Sequence, residues 1–382
     1  MKQYTILGGG IAGLTAAIAL KQKGIHATVF EAAPEIKALG AGLLLAANAV
    51  KGYERLGIAE KIVARGLALP TFSILDQRGR VITSADAAKI GRQYGLHNFA
   101  IHRSELHEAL LTELDPDQVQ TSKRAAHFEK LDDGAIEIHF ADGSAQLTDY
   151  LIVAEGLHSA VRRQLLPASE PRYAGYTCWR AVIDTPAALA GLSVASETWG
   201  KYGRFGIVPL AGDKIYWFAC MNAPQNDPAM RAIKVADLQR FFQKFHPAVR
   251  AILENTRDAD LLWNDIIDLK PIEQFAFGNI VLIGDAAHAT TPNMGQGACQ
   301  AIEDAVILAD ELEKNADPAA AFAAFEKRRL ERVHFIVNNS WRLGKIAQLS
   351  QPWLVGLRNL LFRLIPESVN ERQLKALLET DF

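Results

Sequence analysis

The chain has 382 residues, of which 49% are hydrophobic and 22% are charged, and its formal net charge at pH 7 is −2. This composition is that of an ordinary globular protein, and the length suggests two domains. Because lysine and arginine are not in excess, the charge argues against a nucleic-acid-binding surface.

The most informative motif lies at the amino terminus, where residues 8–13 read Gly-Gly-Gly-Ile-Ala-Gly between an apolar segment and a helical one. A strand, a glycine turn and a helix in this order bring backbone N–H groups close to a pyrophosphate. Gly8 allows the tight turn, Gly10 lets the phosphate approach, and Gly13 lets helix and strand pack closely. Glu31 ends the next apolar segment, where a carboxylate can accept hydrogen bonds from two ribose hydroxyls. The motif predicts a dinucleotide site without distinguishing FAD from NAD.

Three apolar segments, residues 4–7, 150–154 and 280–283, are typical of buried parallel strands, and each precedes a glycine-containing turn and a helical pattern. Because they are far apart in the chain, we expect a nucleotide-binding domain assembled from separate pieces. Between them, residues 72–82 and 204–221 have the pattern of β-hairpins. These hairpins predict a second, mostly antiparallel sheet inserted into an α/β fold.

In the second arm of the later hairpin, alternation places Tyr216, Phe218 and Cys220 on one side and the intervening residues on the other. The aromatic side chains either line a pocket or form a plain core face. Farther along, apolar spacing predicts helices over residues 235–253 and 319–343.

The carboxy-terminal segment, residues 353–378, is amphipathic, with a stripe formed by Leu357, Leu360, Leu361 and Leu364. Such a helix can dock on a protein or lie on a membrane surface. Because its polar face is not strongly basic, we expect the stripe to dock on the domain, and no stable membrane association is predicted.

A second motif begins where the segment 280–283 meets Gly284-Asp285. A carboxylate at the end of a strand, as at Asp285, can bind a polyol hydroxyl, and the structural alternative is that it caps a turn. The segment Gly295-Gln296-Gly297-Ala298 then starts a helix, which offers unpaired N–H groups and a partial positive charge. These features suit an isoalloxazine, where negative charge collects on reduction.

A third motif, Glu155-Gly156 followed by residues 157–162, comes after the segment 150–154. The order and spacing of the three motifs resemble those of the class A FAD-dependent aromatic hydroxylases, from the first strand to the C-terminal helices. The family usually has aspartate where this chain has Glu155. Glu155 and Arg162 are therefore interpreted only as supporting residues near the flavin.

The resemblance implies a glutathione-reductase-type FAD-binding Rossmann domain with an inserted substrate domain. It assigns residues 1–72, 97–170 and 275–340 to the FAD-binding domain, 73–96 and 171–274 to the substrate domain, and 341–382 to a C-terminal helical segment. The dinucleotide is then FAD, and NADH or NADPH visits transiently to deliver hydride. In this family reduced flavin traps dioxygen as a C4a-hydroperoxide, which passes oxygen to a small, electron-rich aromatic or heteroaromatic ring.

The resemblance also implies further cofactor contacts. Ala12, Ala32, Leu44 and Ala125 fall where the family lays its backbone along the cofactor. Arg103 falls where the family has an arginine near the flavin, although an arginine that merely starts a helix is the alternative.

Three residues are candidates for catalysis. Pro292 falls where the family has a proline beside the reacting face of the flavin. Arg204 and Tyr216 resemble the pocket arginine and tyrosine of the FAD-dependent urate hydroxylase branch, which implies that Arg204 stabilises an anionic substrate and Tyr216 orients it. A solvated strand arginine and a core tyrosine are the alternatives. The segment 173–180 matches this branch and the salicylate and hydroxybenzoate hydroxylases equally.

The sequence predicts no metal site. Three widely spaced cysteines without a C-x-x-C pair give neither a disulfide framework nor a metal knuckle, and they indicate a reducing, cytoplasmic compartment. His158 and His288 lack partners at triad or metal spacing, so we interpret both as structural histidines.

The leading hypothesis is an FAD-dependent monooxygenase that works as a monomer or homodimer on a small aromatic substrate and dioxygen. A flavin oxidoreductase or oxygenase acting on a larger, polyketide-like substrate is the second hypothesis, and a non-catalytic flavin-binding protein is the third. The choice between NADH and NADPH stays open. The Glu31 carboxylate would repel a 2′-phosphate, but it concerns the tightly bound nucleotide and not the visiting nicotinamide.

Overall fold

The computed structural model describes residues 2–36, 41–86, 98–366, 375, 377–380 and 382. Among these residues, the strands are β1 (Tyr4–Leu7), β2 (Ala27–Phe30), β3 (Gly42–Leu45), β4 (Leu67–Ala68), β5 (Thr71–Asp76), β6 (Val81–Asp86), β7 (Phe99–His102), β8 (Val119–Gln120), β9 (Ala125–Lys130), β10 (Ile136–Phe140), β11 (Ala145–Thr148), β12 (Tyr150–Val153), β13 (Pro171–Asp184), β14 (Ala195–Trp199), β15 (Arg204–Leu210), β16 (Lys214–Asn222), β17 (Leu262–Leu269) and β18 (Ile280–Leu282). The helices are α1 (Ile11–Gln22), α2 (Ala47–Arg55), α3 (Ala59–Val63), α4 (Arg103–Leu111), α5 (Ala160–Leu165), α6 (Pro228–Arg231), α7 (Val235–Phe241), α8 (Pro247–Glu254), α9 (Asp285–His288), α10 (Gly297–Lys314), α11 (Pro318–Ala347) and α12 (Pro352–Arg363).

The predicted buried strands lie side by side in a parallel sheet with the order β18-β12-β1-β2-β8. Ile6 on β1 is level with Ile152 on β12 and with Val29 on β2, and all three side chains are buried. Helices α1 and α10 pack against each other beside this sheet. The expectation of a sheet assembled from distant segments is confirmed.

The second sheet has the order β17-β13-β16-β15-β14-β5-β6, and all its pairs are antiparallel except β14 with β5. One face is core, where Trp179, Phe205 and Trp217 are wholly buried against helices α7 and α8. The opposite face carries Tyr216 and Phe218, as alternation along β16 predicts. The predicted α/β fold with an inserted antiparallel sheet is confirmed, while the exact domain boundaries stay a prediction.

The helix predicted over residues 235–253 is wrong in one respect, because the segment forms two helices. Helix α7 ends at Phe241, and α8 starts at Pro247. Proline has no backbone N–H and suits the first turn of a helix, so it starts a new helix here instead of continuing the old one. The helix predicted over 319–343 is confirmed and is longer, and Asp317 caps its start by accepting from the N–H of Ala319.

The expectation that the leucine stripe of the tail docks on the domain is wrong. Helix α12 leaves Leu357, Leu360, Leu361 and Leu364 exposed. It packs instead through Arg358 and Phe362, which both contact the ring of Trp199 on β14. The Arg358 guanidinium also donates to the carbonyl of Ala347 at 2.7 Å, so buried polar bonding decides which face turns inward. None of the helices in the described part of the chain is both long and apolar enough to cross a membrane.

Candidate active site

A cavity of about 1350 Å³ lies between the carboxyl ends of the parallel strands and the open face of the second sheet. Ordinary small-molecule sites measure about 300–1,000 Å³, so this one has room for a cofactor and a substrate. With one exception, the site residues predicted from the sequence line this cavity; they are Gly8, Gly10, Ala12, Glu31, Ala32, Leu44, Arg103, Ala125, Glu155, Arg204, Tyr216, Asp285, Pro292, Gly295, Gln296, Gly297 and Ala298. The exception is Gly13, which instead allows helix α1 to pack closely on the turn at Gly8.

The first glycine turn has the geometry that a pyrophosphate needs. Gly8 has a φ of +104°, and a Cβ there would lie 2.3 Å from the carbonyl oxygen of Ala154. A Cβ on Gly13 would lie 1.9 Å from the carbonyl oxygen of Gly8. By contrast, a Cβ on Gly10 would meet open space, at the start of a helix that no side chain caps. Free N–H groups therefore border the cavity at this helix start, an arrangement that suits an anionic group.

Glu31 is held beside this turn by the backbone. Its two carboxylate oxygens accept from the N–H of Gly9 at 2.6 Å and from the N–H of Ala33 at 2.7 Å. Each carboxylate oxygen keeps a second lone pair for another donor. A carboxylate fixed at the cavity wall in this way fits the hydroxyls of a ribose.

Asp285 and Arg103 both reach the cavity. Asp285 is open to the cavity and enclosed by protein on its other sides, and this burial raises its pKa, although the charge of Arg103 opposes the shift. Burial lowers the pKa of Arg103, and Asp285 opposes that shift in turn. Gly284 precedes Asp285 with a φ of +58°, and a Cβ there would lie 2.7 Å from Cβ of Ala12. The turn at Asp285 thus packs directly on helix α1.

Buried side-chain hydrogen bonds fix the start of helix α10. Gln296 is buried, and its Oε1 accepts from the side-chain amides of Asn48 and Gln300, each at 3.0 Å. Gly295 supplies a left-handed conformation with a φ of +63°. Because no side chain caps this helix start, its first N–H groups are available to a ligand in the cavity.

The third motif, which starts at Glu155, has a mainly structural role. Glu155 accepts from the hydroxyl of Ser159 at 2.6 Å and from the N–H of Val161 at 3.3 Å, which caps the start of helix α5. Arg162 is wholly buried and donates to the carbonyl oxygens of Leu157 and Ala286. Arg162 therefore ties the loop after β12 to helix α9.

On the opposite wall, Arg204 is buried, so it is not a solvated strand residue. Its Nη1 lies 3.0 Å from Oε1 of Glu197, and its guanidinium lies 5.1 Å from the ring centre of Tyr176. Burial alone would lower the pKa of Arg204, but Glu197, Cys220 and Tyr176 together outweigh burial and raise the pKa. Glu197 thus pairs with Arg204 at the cavity wall, and the role of Arg204 toward an anionic substrate stays a prediction.

Tyr216 lies under strand β3, where a Cβ on Gly42 would be 2.6 Å from its side chain. Burial raises the pKa of Tyr216, so its hydroxyl keeps its proton. Arg180, which also lines the cavity, lies directly across from Phe218 and donates to Oδ1 of Asn264 at 2.7 Å. Sequence reasoning missed both Arg180 and Glu197, although alternation along β13 and β14 places them on the open face.

His288 is a structural residue, as predicted. It is buried, and its Nε2 lies 2.6 Å from Asp304, which also accepts from Arg329 at 2.7 Å. His158 lies at the cavity wall. Away from the cavity, His127, Glu129 and His139 on β9 and β10 place side-chain ligand atoms within 4.8 Å of one another, a grouping that spacing along the chain did not reveal.

Residues 2–340 match the family model of the FAD binding domain. The chain belongs to this family. It is 38% identical over 360 residues to the aurachin C monooxygenase/isomerase of Stigmatella aurantiaca, covering 94% of this chain and 93% of that protein. It is 32% identical over 373 residues to the 2-heptyl-3-hydroxy-4(1H)-quinolone synthase of Pseudomonas aeruginosa, with 96% and 95% covered. The structure of Klebsiella pneumoniae HpxO with FAD and uric acid superposes with a TM-score of 0.91 at 31% identity, covering 99% and 97%.

The protein is therefore a class A FAD-dependent aromatic hydroxylase, as the three motifs predicted. It binds FAD and is a monooxygenase that consumes NAD(P)H and dioxygen. The glycine turns, the uncapped helix starts and the strand-end carboxylates of this FAD-dependent hydroxylase border the same cavity.

Proposed function

We propose that this enzyme hydroxylates a heteroaromatic ring that lies between Tyr216 and the turn at Pro292. The observation that supports this is the convergence of the dinucleotide residues and of Arg204, Tyr216 and Pro292 on a single cavity. Uric acid in HpxO and the quinolone named for the Pseudomonas relative are both heteroaromatic. In the reaction, one atom of dioxygen replaces a ring hydrogen as a hydroxyl, the other leaves as water, and NAD(P)H supplies two electrons.

The cavity residues at the carboxyl ends of the parallel strands are assigned to FAD. The turn at Gly8–Gly13 holds the pyrophosphate, Glu31 the ribose, and Asp285 a hydroxyl of the flavin side chain. The free N–H groups at the start of α10 stabilise negative charge on the flavin ring. Bound flavin supplies the redox chemistry and the activated oxygen, while the protein supplies position and electrostatics.

On the wall formed by the second sheet, Tyr216 and Arg180 orient the substrate ring. Because Tyr216 stays protonated, its hydroxyl donates a hydrogen bond to an oxygen or nitrogen of the substrate. The positive charge of Arg180 favours the deprotonated, more electron-rich form of a ring that carries an acidic proton. Apolar side chains such as Leu44 and Phe218 keep water from the reacting atoms.

The test is a substrate screen with purified, FAD-loaded enzyme. NADH and NADPH oxidation is followed with urate, salicylate and 2-heptyl-4(1H)-quinolone, and products are analysed by mass spectrometry under ¹⁸O₂. We expect at least one ring to accelerate oxidation and to gain one labelled oxygen atom. Peroxide release without a hydroxylated product for every ring would favour a different substrate class, and inertness to both nicotinamides would favour a non-catalytic flavoprotein.

A further inference from the structure

We propose that the substrate ring carries a hydrocarbon chain, and that the chain lies in an apolar outer channel of the cavity. The outer channel is formed by Phe72, Ile74, Leu343, Phe362 and Ile365, which all line the cavity. The inference rests on the proposed function for the position of the ring, and it adds the chemical class of the substituent.

The strand register shows where the outer channel lies. Phe218 on β16 is level with Gly206 on β15, Gly206 with Glu197 on β14, and Glu197 with Ile74 on β5. Adjacent strands are about 4.8 Å apart, so this row extends about 14 Å across the sheet. A Cβ on Gly206 would lie 2.0 Å from the ring of Phe218, so the ring covers the glycine and leaves a smooth floor. The cavity therefore continues well beyond the position of one ring beside Tyr216.

The wall above the outer channel comes from the C-terminal helices. The ring of Phe362 on α12 lies 5.2 Å from that of Trp199, and Arg363 forms a 2.9 Å ion pair with Asp76 on β5. Leu343 reaches the same cavity from the end of α11. Helix α12 thus lies over the β5 end of the sheet, opposite the end that carries Tyr216.

The charges along this route also favour a hydrocarbon. Glu197 and Arg204 form a buried pair in the middle of the floor, so this part of the wall offers little net charge to a ligand. Arg342 also borders the cavity, but its side chain is exposed, so water solvates its guanidinium. The five side chains that form the outer channel offer no hydrogen-bonding group, so a polar substituent lying against them would lose its water without compensation.

The apolar side chains of the outer channel are only half-buried, because one side of each faces the cavity. A hydrocarbon chain would cover that surface, and each buried methylene tightens binding about fourfold. Urate has no substituent that could reach these residues. The name of the Pseudomonas relative includes a heptyl group, whereas HpxO was solved with uric acid, so both kinds of substrate occur among the relatives.

The first experiment measures binding of 4(1H)-quinolones with 2-methyl, 2-propyl, 2-pentyl, 2-heptyl and 2-nonyl chains to the FAD-loaded enzyme. Binding is followed by the change in flavin absorbance, which needs no turnover. We expect the Kd to fall severalfold per methylene until the channel is filled, and urate to bind far more weakly than the heptyl compound. A Kd that is flat or rises with chain length, or no binding at any length, would overturn the inference.

The second experiment compares matched substitutions. Leu343→Gln and Ile365→Gln each place an amide in the outer channel, whereas Leu364→Gln changes a side chain that is 68% exposed and outside the cavity. We expect either channel variant to weaken binding of the heptyl compound about tenfold and to leave the methyl compound unchanged, while Leu364→Gln changes neither. Equal losses for both compounds in both channel variants would contradict the proposal.

The two proposals fail separately. Chain-dependent binding without any hydroxylated product would refute the proposed function and leave the channel assignment intact. Hydroxylation of the ring at the same efficiency for every chain length would support the function and refute the channel.

Discussion

The carboxylate of Glu197 lies 3.0 Å from the guanidinium of Arg204, and both side chains are buried in the wall of the cavity. Arg204, which the family resemblance implies as a substrate ligand, thus also has a carboxylate partner within the protein. Arg204 lines the cavity, but the neighbouring Glu197 carboxylate reduces the net charge that this wall presents to a ligand.

Replacing one partner of this pair should therefore change both stability and ligand preference. Glu197→Gln leaves a buried, unbalanced positive charge, and we expect a loss of about 3–5 kcal/mol in the free energy of unfolding. The same charge should tighten binding of anionic ligands such as urate. Chemical denaturation and flavin-monitored titration measure the two effects, and Glu197→Gln combined with Arg204→Met should recover much of the stability. Unchanged urate binding in Glu197→Gln would contradict this view of the pocket charge.

The glycine turn predicts two separable defects. Gly10→Ala should fold normally, because its Cβ meets no protein atom within 4 Å, but the methyl group enters the space assigned to the pyrophosphate and should weaken FAD binding at least tenfold. Gly13→Ala should lower the stability of the apoprotein by about 1–3 kcal/mol or more, because its Cβ would lie 1.9 Å from the oxygen of Gly8. Flavin content and thermal melting of the FAD-free proteins distinguish these outcomes. A Gly10→Ala protein that retains the wild-type FAD content would exclude the assignment of this turn to the pyrophosphate.

Removing the hydroxyl of Tyr216 should affect turnover more than cofactor binding. Tyr216→Phe deletes one hydrogen-bond donor, which is worth about 1–3 kcal/mol when the substrate group it meets is buried, or about 5- to 160-fold in kcat/KM. FAD content should stay at the wild-type level. Tyr202→Phe is the matched control, since Tyr202 is exposed and does not line the cavity. Equal kcat/KM in Tyr216→Phe and wild type would show that this hydroxyl does not contact the substrate.

The buried network at Asp304 should make the protein acid-sensitive. Burial alone would raise the pKa of Asp304, but His288 and Arg329 outweigh it and lower the pKa. A carboxylate with a lowered folded-state pKa stabilises the protein above its unfolded pKa of about 4, and this contribution is lost as the pH falls toward the folded value. We expect the free energy of unfolding to fall below about pH 5, and to fall less steeply in Asp304→Asn. Asp132→Asn, at an exposed position, serves as the control and should keep the wild-type slope.

Part of this site was predictable because its chemistry depends on local backbone geometry. Gly8 is required by its positive φ and Gly13 by its contact with the carbonyl oxygen of Gly8, and both requirements arise within one strand–turn–helix unit. Glu31 and Asp285 lie just after strands whose apolar runs are visible in the sequence. The break before Pro247 was also a local signal, although the apolar spacing across it concealed the end of the first helix.

Residue spacing was enough to predict the glycine turn and the strand-end acids that we assign to FAD, because such a unit has the same geometry wherever it lies in a fold. The charge and shape of the cavity wall formed by the second sheet depend instead on tertiary contacts. Glu197 meets Arg204 only through the pairing of β14 with β15, and Phe362 meets Trp199 only because α12 turns its Arg358 face inward. Such contacts depend on strand register and on which helix face buries its polar groups with partners, and neither is encoded in residue spacing along one segment.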